Sequence, residues 1–154
     1  MLLRTRTPRS ERRGGATLIE SVAVMLIFLM LFFGVMEYCL IIFTQQVSIN
    51  ACREGCRFAV VDWQSGTNLE ANTYVVVDKY MAGVQNRLKN YTRQLYQSDV
   101  NGNNLGATSA ETAPFGAYIV VQIDYDYNPI LPSLLFLNKS FHVTTRVCMC
   151  DEAN

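Results

Sequence analysis

From Ser21 to Phe43 the chain is apolar apart from Ser21 itself and Glu37. As a helix these ~23 residues cover roughly 35 Å, enough to cross the hydrocarbon core of a bilayer. No proline occurs between Pro8 and Pro114, so nothing forces a break where such a helix leaves the membrane, and it is predicted to run from about Thr17 to Val61. A removable secretory signal would have an apolar region of about 7–15 residues ending in an A-x-A-like site. Here Val35-Met36-Glu37-Tyr38 stands at that end instead.

The formal net charge of zero hides an asymmetry. Arg4, Arg6, Arg9, Arg12 and Arg13 precede the apolar run, opposed only by Glu11, and the rest of the chain holds eight basic and twelve acidic residues. That remainder offers no broad basic surface for nucleic acid. The arginines read as a topology signal that keeps the N-terminus cytoplasmic and puts everything after the span outside. Glu20 lies at the start of the span, where burying a charge costs about 2.5–3.5 kcal/mol on insertion scales, so it calls for a partner. Arg12-Arg13-Gly14-Gly15-Ala16-Thr17-Leu18-Ile19-Glu20 resembles a prepilin cleavage site, in which a peptidase at the cytoplasmic face cuts after Gly and leaves Glu at the fifth mature position. Gly15 then ends a basic leader, residues 1–15, and Ala16 begins the mature chain. A cut after Gly14 would put Glu20 sixth.

Residues 16–43 are thus expected to form the transmembrane part, and 44–154 an extracytoplasmic domain. Helix 44–61 continues the span. In it Val47, Ala51, Gly55 and Phe58 share one stripe, and Ser48, Cys52 and Cys56 form a small-residue row that invites close packing. Asp62 to Asn68 reads as a turn. Val77, Met81, Val84, Leu88, Tyr91 and Leu95 then recur at steps of four and three, predicting a second amphipathic helix over 69–98 with Asp78, Lys79, Arg87, Lys89 and Arg93 solvated. Alternation of Ile119, Val121, Ile123, Tyr125 and Tyr127, and of Phe141, Val143, Thr145, Val147 and Met149, predicts strands at about 117–127 and 140–150. Two strands are marginal alone and must pack on a helix. The fold class is α+β and pilin-like: a long N-terminal transmembrane helix, a second helix and a short antiparallel sheet.

Three segments in order, Gly15 to Glu20, Phe33-Gly34-Val35-Met36-Glu37-Tyr38, and Ala51-Cys52-Arg53-Glu54-Gly55-Cys56-Arg57-Phe58-Ala59, resemble the TadE-like pseudopilins, minor pilin-like components of tight-adherence (Flp, type IVc) pilus systems. The resemblance covers Arg12 to Val61, and Cys52 and Cys56 stand where the family usually has alanine. It implies a single-pass protein of the bacterial cytoplasmic membrane, processed by a prepilin peptidase and taking part in pilus assembly and cell adhesion. Its implied partners are other pilin-like subunits, the inner-membrane assembly machinery and membrane lipid. No catalysis or cofactor is implied. In that setting Glu20 is expected to meet the Ala16 amine of an adjacent subunit, since a buried carboxylate is tolerable beside such a neutralising group. A signal-anchored extracytoplasmic binding module, never built into a pilus, is the alternative.

Other residues have two readings each. Glu37 either meets a partner or sits wet at the outer interface. Arg53, Glu54 and Arg57 either dock other subunits or form local helix pairs of ~0.2–0.5 kcal/mol, with Gly55 a close-packing position. Cys52 and Cys56 share a helix face and Cys148 and Cys150 a strand face, each pair about 6 Å apart, so two helix-to-strand disulfides compete with separate buried thiols. Against the bridges, Cys148 and Cys150 point away from the apolar face of their strand. Cys39 lies in the span as an ordinary small residue. Asp99, Asn101 and Asn103 mimic the start of a calcium loop, but Asn104 and Ala110 replace its Gly and Glu, leaving a turn. No metal site or nucleophile motif is found. The apolar loop 128–138 is either a subunit contact or core.

Overall fold

The computed structural model describes residues 14–62, 68–106, 110, 113–114, 116–130 and 140–150. Most of the leader, most of the turn after Asp62, much of the loop 107–116 and residues 131–138 of the apolar loop lie outside them. Helix α1 (Gly14–Asp62) is 49 residues long, about 74 Å at 1.5 Å per residue. Helix α2 (Leu69–Met81) and a 3-10 turn (Val84–Arg87) follow, then strands β1 (Lys89–Ser98), β2 (Tyr118–Tyr127) and β3 (Phe141–Cys150). The strands form an antiparallel sheet in the order β1-β2-β3.

Both helices cover one face of this sheet. The packing is governed by which side chains α1 lacks: Ser48, Ala51, Cys52, Gly55, Cys56 and Ala59 are all buried. A Cβ on Gly55 would lie 2.6 Å from Val77 Cγ2 and 3.6 Å from Val121, so only glycine lets α1 sit this close to α2 and β2. The core joins Ala51, Cys52 and Cys56 to Val77 and Met81 of α2 and to Val121, Ile123, Tyr125 and Tyr127 of β2. Buried hydroxyls on the helices bond back one turn, Thr44 to the Leu40 carbonyl, Ser48 to that of Thr44 and Thr73 to that of Leu69, which removes the penalty of burying them unpaired.

The helix expected over 69–98 is corrected. It stops at Met81, where Ala82 (φ 50°) and Gly83 (φ 82°) turn left-handed and the Ala82 N–H caps the Lys79 carbonyl, a common helix ending. Lys89 to Ser98 is a strand instead. Tyr91 and Leu95, four apart, share a strand face as well as a helix face, and a bulge between Lys89 and Thr92, with Asn90 at φ 52°, shifts the register. The apolar spacing of four and three thus crosses a cap, one 3-10 turn and a bulge while facing a single core. The sheet consequently has three strands, and the two predicted late strands are its centre and one edge. Asp78 and Arg93, expected in solvent, form an ion pair joining α2 to β1. Tyr91 donates to the other Asp78 oxygen at 3.1 Å, and the Arg93 guanidinium stands 4.9 Å from the Tyr74 ring centre.

Asp99 to Asn104 forms a turn closed on itself. The Gly102 N–H bonds the Asp99 carbonyl, the Asp99 N–H bonds the Asn103 carbonyl, and the Asp99 carboxylate accepts the Val100 N–H.

Candidate functional site: a bare apolar helix joined to its domain through a buried glutamate

Between Leu18 and Met36, α1 packs against no other described helix or strand. Leu18, Ile19, Val22, Met25, Phe28, Leu31, Val35 and Met36 are all exposed, and the helix is long and apolar enough to cross a membrane. Glu20 lies on this bare stretch beside Thr17, Ser21 and Val24 and meets no partner among the described residues.

Glu37 is where packing begins. It leads the stripe that continues through Leu40, Ile41, Thr44 and Ser48 into the core, and it is 4% exposed. The last residue of β2 supplies its donor: Tyr127 Oη donates to Glu37 Oε1 at 2.8 Å. Three residues on, the Ile130 N–H donates to both carboxylate oxygens at 3.2 Å. Burial, then the hydrogen bond to Glu37, pushes the Tyr127 phenol well above the usual tyrosine range, with Arg87 nearby opposing the shift. The expectation of a wet Glu37 at the outer interface is corrected: the carboxylate is buried against the far end of its own domain. The sequence signal was thin, because Tyr127 read as one apolar position in a strand and Ile130 acts through its backbone.

The Arg53 to Arg57 segment divides by side-chain size. Gly55 and Cys56 face the core, whereas Arg53 and Arg57 are exposed and Glu54 half-buried, none of the three in an ion pair with a described residue. Glu54 and Arg57 border a shallow groove with Val76, Lys79 and Tyr80 of α2.

Of the two readings for the cysteines, the helix-to-strand disulfides are not formed: none of the five cysteines is in a disulfide, and the sheet itself separates the two pairs. Cys56 donates to the Val147 carbonyl at 3.0 Å and Cys52 approaches that of Thr145 at 3.7 Å, both from the helix side. Burial pushes these two thiols up to about 12. Cys148 and Cys150 pair opposite Val120 and Tyr118 and face outward, Cys148 beside Ser98 Oγ at 3.6 Å and Cys150 beside the Gly116 carbonyl at 3.5 Å. On the same outer face Asp126 accepts from His142 and Asn90, and Asp124 from Thr144 and Gln122. These are cross-strand and same-strand polar ties.

Fold and site together define an α+β protein whose long apolar helix, compatible with a single-pass membrane anchor, extends from a small helix-and-sheet domain. The family model for TadE-like proteins matches residues 15–57. Over that stretch, which contains Glu20, Glu37 and the Arg53 to Arg57 segment, the chain is similar to TadE-like proteins, in agreement with the resemblance read from the sequence. No curated protein and no solved structure matches the chain.

Proposed function

We propose that this chain is a minor pilin-like subunit of a tight-adherence (Flp, type IVc) pilus system. A prepilin peptidase cuts between Gly15 and Ala16, and α1 holds the product in the bacterial inner membrane with its domain outside. During assembly α1 then packs beside the helices of other pilin-like subunits. The role is structural, without catalysis. The observation that supports this reading is the exposed apolar half of α1 with Glu20 at its start, without a partner among the described residues, inside the stretch that matches the TadE-like model.

The chemistry follows from the cut. Hydrolysis of the Gly15–Ala16 bond creates an α-amine, which is mostly cationic near neutral pH. When helices pack laterally, Glu20 of one subunit loses water and needs a neutralising group, and the Ala16 amine of a neighbour supplies it. Arg53 and Arg57, pointing away from the core, are available to contacts outside the membrane.

Glu20→Gln tests this pairing, with processing and co-assembly measured in the same cells. The variant is expected to be cut normally and to be missing from assembled complexes. Unchanged co-assembly refutes the pairing. A precursor that is never cut in cells with an active peptidase favours the permanently anchored binding module.

A further inference from the structure

β1 and β3 are the two edges of the sheet, and they end in opposite ways. An edge strand leaves the N–H and C=O of every second residue unpaired on its outer side, a row that another chain can extend. β1 closes that row. A bulge interrupts it between Lys89 and Thr92, Asn90 turns left-handed at φ 52°, and at the other end the chain folds back so that Asn104 bridges Ser98 and the Leu105 N–H donates to the Gln97 carbonyl.

β3 is left open. It pairs with β2 residue for residue from Phe141 to Cys150, without a bulge and without proline, and among the described residues nothing pairs with its outer edge between His142 and Met149. The inner side of this edge is apolar and only half covered: Phe141, Val143, Val147 and Met149 pack on the core yet remain partly exposed. On the outer side His142, Thr144, Arg146 and Cys148 are exposed, and β3 holds no carboxylate. His142 pairs with Asp126, whereas Arg146 is in no ion pair with a described residue. A strand laid along β3 is therefore matched in three ways. Its backbone takes the open N–H and C=O groups, apolar side chains at alternate positions extend the half-covered layer, and carboxylates between them face Arg146, since opposite charges across paired strands stabilise and like charges repel.

That strand is not β3 of a second copy. β3 starts at the Glu37 end of the domain, where Phe141 pairs with Tyr127 and Tyr127 donates to Glu37, so antiparallel pairing of two β3 strands turns the two bare helices in opposite directions. Parallel pairing through the same edge sets the two copies at different heights, because each residue then bonds to the neighbours of the one opposite. Neither suits two identical helices anchored side by side in one bilayer, and β1 of a second copy is closed. We infer that β3 receives an extended segment of a different chain, one that alternates apolar residues with acidic or neutral polar ones, and that the sheet gains a further strand there. The exclusion of a second copy rests on α1 being a membrane anchor; the open edge does not.

The test uses the full chain in detergent micelles and a synthetic peptide that alternates valine with threonine and glutamate and matches β3 in length. Residue-resolved hydrogen exchange should show alternate β3 amides exchanging fast in the free chain and about 10-fold or more slower at saturating peptide, with β1 unchanged. N-methylation of every valine, or of every threonine and glutamate, should abolish the protection in one case and spare it in the other. Lysine in place of glutamate should weaken binding several-fold, and Arg146→Glu should reverse that preference. Alternate β3 amides already protected in the free monomeric chain overturn the inference, because the chain's own residues then cover the edge. Protection that appears only as the chain dimerises overturns it in favour of a second copy. A free edge that the peptide leaves unprotected at millimolar concentration also overturns it. None of these readouts involves the cut after Gly15 or Glu20, so the pilus reading stands or falls separately.

Discussion

Tyr127 Oη lies 2.8 Å from Glu37 Oε1, joining the last residue of the central strand to the helix position where the bare rod ends and the domain begins. A carboxylate this buried is retained only with its oxygens satisfied, and here a phenol and a backbone amide satisfy them.

Tyr127→Phe deletes one charge-assisted hydrogen bond and is expected to lower domain stability by about 1.5–3 kcal/mol. Glu37→Leu combined with Tyr127→Phe should lose clearly less than the two single losses added together, since the residues act as a pair. Denaturant unfolding of the detergent-solubilised chain, followed by near-UV circular dichroism, measures both. Additive losses would show that the pair is not coupled.

Gly55 sets the distance between α1 and α2. Gly55→Ala puts a Cβ 2.6 Å from Val77 Cγ2, and overpacking of this kind costs about 1–3 kcal/mol. Val77→Ala should relieve much of it in the double variant, although it costs stability alone. Thermal unfolding of the four forms checks this, and a Gly55→Ala variant as stable as the parent contradicts the packing.

The long apolar helix, its continuation to Asp62 and the inner face of the sheet were legible because each keeps one pattern over many residues. Gly55 and the small row beside it were legible for a related reason: a row without bulk announces a close neighbour. The end of α2 was not. The apolar positions from Met81 to Leu95 keep a helical spacing while the backbone passes through a left-handed cap and a bulge, and a spacing of four fits a helix or a strand. Glu37's partner was hidden too, since Tyr127 lies 90 positions further along the chain and nothing local in either segment points to the other. For the cysteines the strand alternation already held the answer, because it put Cys148 and Cys150 on the face opposite to the helices.

Thiol reactivity should divide along that face. Cys52 and Cys56 are buried and pushed up to about 12, so they carry almost no thiolate at neutral pH, whereas Cys148 is exposed. Iodoacetamide on the native, non-reduced protein is expected to label Cys148 readily and to reach Cys52 and Cys56 only after denaturation. Peptide mass mapping that recovers a Cys52 or Cys56 disulfide to Cys148 or Cys150 would contradict the sheet placement.

Alkaline pH should weaken the domain. The Tyr127 and Tyr91 phenols are raised, each first by burial and then by Glu37 and Asp78 respectively, and Tyr74 is raised to about 12, chiefly by burial. Because the folded values lie above the unfolded value of about 10, the stability these phenols lend is complete below that pH and is lost as pH rises toward the folded values. Tyr127→Phe should flatten part of this fall. At the acid end Asp126 behaves oppositely: the His142 hydrogen bond, then that of Asn90, lowers its carboxyl, so its contribution is present above the unfolded carboxylate range and lost as pH drops through the folded value. Unfolding midpoints against pH for the parent, Tyr127→Phe and Asp126→Asn chains test both signs.

The most direct test of the pilin-like account is the intact mass and N-terminal sequence of the chain purified from cells that co-express an active prepilin peptidase. A product that has lost Met1 through Gly15 and starts at Ala16 is the predicted result. A chain that keeps its five leader arginines beside that active peptidase contradicts the account.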